Sequence, residues 1–188
     1  MDNKNKYPDF LGIFMKIKRK APRKVAVKSK NFFKESFAKG GFTDVSFQEW
    51  PKTTNPLARK TMYNKGDLQN SIRSIQETKE RVEVGTEIQY AKIHNEGGAI
   101  TVTPALKAHF WKEYYKHMGN VKLGKRGGIL ASSAKTNAKA QYCKNIALKK
   151  VGSKIKISKR QFIGESETLM RQLNDLFIDA VEKGLKEQ

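Results

Sequence analysis

The stretch "RVEVGTEIQYAKIHNEGGAITVT", Arg81–Thr103, decides how this chain is read. Its opening "RVEVGT" alternates charged and apolar side chains, the period of a half-buried strand. Ile88, Ala91 and Ile93 then fall within reach of one helical face, and Gly97 is well placed to end a short helix in the left-handed conformation. "AITVT" goes back to strand. The same stretch sets His94, Asn95 and Glu96 directly ahead of Gly97-Gly98. Polar residues against a glycine pair can mark a catalytic loop or a metal site, or merely the place where a helix stops and a strand begins.

Working outward, Ser74 to Thr78 and Arg81 to Thr86 predict a hairpin with Lys79-Glu80 at its turn. Ahead of it, "KGDLQNSIRSI" carries Asp67 where it favours the first turn of a short helix, with Leu68 and Ile72 one turn apart. Residues 10–39 read as helical, in two pieces because Pro22 interrupts them. Val25, Phe32, Phe33 and Phe37 fall near one face of the second piece, and Gly40-Gly41 ends it. "GGFTDVSFQEWPKTTNP" is expected to be a loop, tacked to the core by Phe42, Phe47 and Trp50.

Beyond the opening stretch, "PALKAHFWKEYYKHMG" predicts a helix opened by Pro104 and closed by Gly119. Residues 119–150 are Gly, Ala, Ser, Asn and Lys with few large apolar anchors, the composition of a basic, flexible insertion. "SKIKIS" resumes period-two alternation as a fourth strand. "GESETLMRQLNDLFIDAVEKGLKEQ" is a helix with Ser166 as N-cap and Leu169, Leu173, Leu176, Phe177, Ala180 and Val181 at three- and four-residue steps. The sum is an α+β fold. A small antiparallel sheet of about four strands is packed by N-terminal, central and C-terminal helices, in a single domain spanning 1–188.

Composition bounds the function. A chain of 188 residues with 38% apolar and 30% charged side chains supports one modest core. Cys143 is the sole cysteine, so no internal disulfide forms, and a reducing compartment is expected. No apolar run approaches the 18 or so residues that a membrane span needs. The net charge of +20 is concentrated in two blocks. Residues 16–30 hold eight Lys or Arg and no acid; residues 107–160 hold fifteen against the lone Glu113. Such blocks attract polyanions or acidic protein surfaces, or else act as solvated, self-repelling linkers.

The chemical candidates lack partners. His94 has no second His or Cys at ligand spacing, and nothing nominates a nucleophile or an orienting group for it. His109, Glu113 and His117 share a helical face, but ligands along one straight helix diverge. Cys143 lies among cations that would lower its pKa, without a His or acid partner. No phosphate-cradling or nucleophile-elbow motif occurs, so neither catalytic residue, metal nor cofactor is expected. Lys122, Lys125, Arg126, Lys149, Lys150, Lys154 and Lys156 are the candidate surface for DNA or a partner, with Trp111 and the nearby tyrosines available to stack on bases. No helix-turn-helix, zinc-finger or RNP pattern accompanies them.

Four pieces stand in a telling order: "FQEWPK" with Trp50, "KGDLQNSI" with Gly66, Leu68 and Ser71, "VEVGTEIQYAKIHNEGG" with Gly85, Tyr90, His94, Gly97 and Gly98, and "KRQFIGES" with Phe162 and Gly164. In this order the chain resembles the phage virion-morphogenesis family, the tail-completion and head–tail joining proteins of Mu-like phages and prophages. The resemblance covers most of residues 25–188 outside 119–150. It implies a structural, non-catalytic subunit of a homo-oligomeric ring, made in the host cytoplasm and ending in the neck or tail end of the virion. Its partners would be neighbouring neck or tail proteins, with nonspecific DNA contact through the lysines and no membrane. In that reading Tyr90, Ile93 and His94 pack a short helix against the sheet while Gly97-Gly98 reverses the chain. A sequence-nonspecific nucleic-acid-binding protein using the lysine-rich segment remains the alternative.

Overall fold

A computed structural model describes residues 7–124 and 127–187. Along the chain run α1 (Phe10–Lys39), β1 (Gly41–Thr43), β2 (Phe47–Glu49), α2 (Asp67–Asn70), β3 (Arg73–Glu77), β4 (Val82–Gly85), α3 (Ala91–Glu96), β5 (Gly98–Thr101), α4 (Pro104–Met118), α5 (Ala134–Ala147), β6 (Lys154–Ile157) and α6 (Glu167–Lys186). Mixed helix and sheet is as expected. The strands pair as three two-stranded antiparallel ladders, β1–β2, β3–β4 and β5–β6, and not as one sheet of about four. The chain divides into two compact units. Unit 1 comprises 1–50, 65–91 and 160–188; unit 2 comprises 51–64 and 92–159.

Unit 1 is organised by α1. Asp9 caps it by accepting from Gly12 N–H at 2.9 Å, and Gly40 closes it in the left-handed region. The helix runs unbroken through Pro22. An interior proline costs about 3 kcal/mol through its missing donor and ring clash. Here buried residues on both sides of it hold the helix in place: Ile13 lies against Gly184 of α6, and Ala26 is buried one turn after the proline. In the C-terminal half, Ala26, Phe32, Phe33 and Phe37 are buried. Phe32 meets Phe42 edge-on at 6.4 Å, and Phe37 meets Trp50 at 5.4 Å and Phe162 at 5.3 Å.

The segment expected to be a loop forms the β1–β2 hairpin, with Phe42 and Trp50 buried and Phe47 exposed. Its turn is bolted to the start of α6. Asp44 Oδ1 accepts from Glu167 N–H at 2.9 Å, and the Ser166 hydroxyl donates to Thr43 C=O at 2.8 Å while accepting from Leu169 N–H at 3.1 Å. The free N–H groups of the α6 N-terminus are thus satisfied partly by a residue 123 positions away. The β3–β4 hairpin turns at Lys79-Glu80 as expected, Thr78 N–H donating to Arg81 C=O at 2.8 Å, with a bulge between Ser74 and Gln76.

Unit 2 contains α3, the β5–β6 ladder and the α4–α5 pair. Thr103 caps α4, Pro104 stands at its first position, and Phe110 meets Tyr142 of α5 at 6.5 Å. Within residues 119–150, read from composition as a flexible insertion, Ala134–Ala147 form α5. Ala140, Cys143, Ile146 and Ala147 are buried on one side of α5, at the three- and four-residue steps of a packed helix. Small side chains that read as a loop are what lets this helix sit close to its neighbour.

Candidate anion-binding surface

The two units differ sharply in charge. Unit 2 holds 18 Lys or Arg against only Glu96 and Glu113, a net +16, whereas unit 1 holds 20 against 16 acids, a net +4. Unit 1 also compensates its charges locally: Arg23–Glu77, Lys39–Glu35, Arg73–Glu87, Arg81–Glu83 and Lys183–Glu187 are ion pairs. In unit 2, Glu113 pairs with Lys116 at 3.6 Å and stands 3.8 Å from His117. A surface of one sign, without counter-charges, focuses its field on whatever anion approaches.

Local structure fixes where several of these cations project. β6 alternates exposed Lys154 and Lys156 with half-buried Ile155 and Ile157, so both lysines leave the same face of the β5–β6 ladder. Lys149 and Lys150 lie just ahead, in the turn joining α5 to β6. That turn is tied down by Gly152 N–H donating to Val102 C=O at 2.9 Å, and Val102 N–H donating to Ser153 C=O at 2.8 Å. Val102 is wholly buried, so the exposed lysines are carried on an anchored turn. Lys122 is exposed too, its backbone N–H held by the Ser133 hydroxyl at 2.9 Å. Lys125 and Arg126 lie outside the described residues. Lys135 and Lys139, also on unit 2 and one turn apart on α5, were not singled out from sequence because that segment was read as loop.

The aromatic residues of α4 are partly committed to one another. Trp111 stacks on Tyr115 at 6.0 Å and meets Tyr114 edge-on at 5.6 Å, and Lys144 Nζ sits 6.0 Å from the Tyr114 ring. Tyr115 is the exposed member of this group. Cys143 corrects an expectation. The cations near it in sequence do not set its pKa: burial pushes the thiol up, helped by the nearby Glu113 charge. Tyr142 is raised as well, first by burial and then by Cys143.

The other candidates divide as follows. Glu113 and His117 are neighbours one turn apart, and no cluster of three or more His, Cys, Asp or Glu suited to a metal occurs among the described residues. His94 sits half-buried in the last turn of α3, and Gly97 follows it at φ 79°. A Cβ on Gly97 would stand 3.0 Å from Lys159 N, so this turn needs glycine twice over. Tyr90 precedes α3 and is about half exposed.

Residues from all four quoted pieces take part in unit 1. Trp50 Nε1–H donates to Gln161 C=O at 2.6 Å, joining the first piece to the last beside buried Phe162. Gly66 precedes α2 in the left-handed region, and Leu68 is buried. A hydroxyl chain then joins the second piece to the third. Ile88 N–H donates to Thr86 Oγ1, and the Ser71 hydroxyl donates to Leu68 C=O. Because Ser71 has spent its proton, Thr86 is the donor in the 2.6 Å contact between the two hydroxyls. Gly85 closes β4 opposite Arg73, and Gly164 follows Phe162 in the loop ahead of α6. Comparison with protein-family models, with curated proteins and with solved structures returns no match. Among the described residues no helix is long and apolar enough to cross a membrane.

Proposed function

We propose that this protein is a structural subunit of a phage or prophage particle, a tail-completion or head–tail connector protein. It works within a homo-oligomeric ring and carries out no catalysis. The observation that most supports this reading is what the conspicuous residues are used for. Trp50, Leu68, Ser71 and Phe162 are spent on packing and on closing hydrogen bonds within unit 1. The uncompensated charge sits elsewhere, on unit 2. A ring subunit at a DNA passage needs a stable scaffold and a cationic contact surface for duplex or acidic neighbours. Such a protein is made in the host cytoplasm and ends in the virion, beside neck or tail proteins.

The charge on unit 2 also favours a second reading, a sequence-nonspecific nucleic-acid-binding protein acting outside any particle. Restoring the gene to a phage or prophage that lacks it separates the two. The connector reading expects joined, tailed particles with the wild-type gene, and also with His94→Gln or Glu96→Gln variants that still fold. It expects failure with Lys122, Lys149, Lys150, Lys154 and Lys156 all changed to Gln. Particles completed equally well without the gene, from a protein that binds duplex DNA in the tube, would leave only the second reading.

A further inference from the structure

Toward its N-terminal end the organising helix buries Ile13 against α6, but among the described residues it leaves a further apolar stripe exposed. An α-helix repeats its direction every 18 residues, about five turns. Ser29, Phe32 and Phe33, buried in the core of unit 1, therefore share a face with Leu11, Phe14 and Met15. These last three are 73%, 58% and 59% exposed, and Phe10 beside them is 63% exposed. The core-facing stripe of α1 runs on past the end of the core. Of these residues Phe10 and Phe14, together with Ile13, Ile17 and Val25, line a groove of about 640 Å³, bordered by Phe177 and Val181 of α6 and by the β3–β4 turn. A second bare stripe lies along α6, where Met170, Ile178 and Leu185 are 57%, 56% and 37% exposed although the helix is amphipathic.

Sizes and charges say what fits. With roughly 200 Å² per fully exposed large apolar side chain, the α1 face offers on the order of 500 Å² of apolar surface, and the α6 face about 300 Å² from Met170, Ile178 and Leu185. A standard interface buries about 1,600 Å² in total, somewhat over half of it apolar. One α1 face and one α6 face together supply most of that apolar share. Pairing α1 with a second α1 would bring two blocks of eight cations together, and like charges across an interface are costly. The α6 stripe is instead flanked by exposed Asp175, Asp179 and Glu182, which outnumber the two cations on that side, Arg171 and Lys186. Within the subunit, α6 already lies on α1, its Asp175 and Asp179 lining one cleft with Lys24 and Lys28.

We infer that the exposed α1 face of one copy takes the exposed α6 stripe of a second copy, a head-to-tail contact between identical chains. Such a contact uses two different surfaces and so propagates until it closes, which is how rings form. The inference deepens the ring reading above and rests on it only for the meaning of the assembly. The contact itself is a property of the purified chain.

Sedimentation of the full-length protein tests it. The wild type is expected to form dimers and larger species with rising concentration, as is a Val45→Ser control at an exposed site elsewhere in unit 1. Phe14→Glu and Ile178→Glu, each folded by circular dichroism, are expected to sediment as monomers, with self-association weakened at least about tenfold. Mixed in equal amounts they should recover a dimer and nothing larger, because one intact α1 face then meets one intact α6 stripe. A wild type that stays monomeric at about 100 μM, or single variants that associate like the parent, would overturn the contact. Variants that stay monomeric when mixed would overturn its head-to-tail sense. Failure of the particle experiment alone, with the mixture still forming dimers, would remove the connector reading and leave this contact standing.

Discussion

The two units spend their residues in opposite ways. Unit 1 buries Phe32, Phe33, Phe37, Phe42, Trp50 and Phe162 together and sets several of its charges in pairs; unit 2 carries +16 with only two acids and keeps Lys149, Lys150, Lys154 and Lys156 exposed on an anchored turn and a ladder face. Surface ion pairs are individually worth little, about 0–1 kcal/mol. Their presence in unit 1 therefore matters less for stability than for leaving that unit nearly neutral. In unit 2, cation next to cation is an energetic cost that folding alone would not select. The difference teaches that the aromatic packing and the excess of cations lie in separate parts of this chain, and each can be altered without the other.

The largest effect belongs to the aromatic core. Trp50→Ala removes a buried indole, its contact with Phe37 and its hydrogen bond to Gln161. A loss of about 3–5 kcal/mol is expected in urea unfolding followed by circular dichroism. Trp111, the other tryptophan, stays as a fluorescent reporter within unit 2. A loss below about 1 kcal/mol would mean that Trp50 is not the keystone described here.

Gly97→Ala comes next. A positive φ of 79° and a Cβ 3.0 Å from Lys159 N make alanine strained there, at about 1–3 kcal/mol in thermal or urea unfolding. If the variant were as stable as the parent, the turn would not be held as described. Thr86→Val is expected to cost about 1–2 kcal/mol, since it leaves Ile88 N–H and the Ser71 hydroxyl without their shared partner. Ser71→Ala should then add little on top of it, and full additivity of the two would break the proposed chain. The smallest effect is chemical. Burial raises the Cys143 pKa, so at pH 8 its thiol should react with an aromatic disulfide far more slowly in the native protein than in urea. Equal rates would contradict its burial.

Much of this was legible from residue order. The strand at Val82–Gly85, the turn at Lys79-Glu80, Pro104 opening α4 and Ser166 capping α6 all follow from local signals. What escaped depended on distant partners. Each strand of the β1–β2 hairpin is three residues long, and its turn is fixed by α6, so local sequence reads as loop. The sequence marks "AITVT" and the alternating "SKIKIS" as strands but not that they pair with each other across 52 intervening residues. Pro22 signalled a break that packing on either side prevents. In α5 the spacing of Ala140, Cys143, Ile146 and Ala147 was a usable signal, masked by a composition that resembles a linker. The cationic surface was visible as a charge block; its segregation from the acids needed the fold.

The most direct test of that segregation is the salt dependence of duplex binding. Each phosphate contact contributes a slope of about −0.9 to log K against log salt. Changing Lys122, Lys149, Lys150, Lys154 and Lys156 to Gln should flatten the wild-type slope by several units while leaving thermal stability unchanged. Changing five α1 cations, Lys16, Lys18, Arg19, Lys20 and Arg23, should flatten it far less. Equal flattening by the two sets, or none by the first, would contradict the assignment of the anion-facing surface to unit 2.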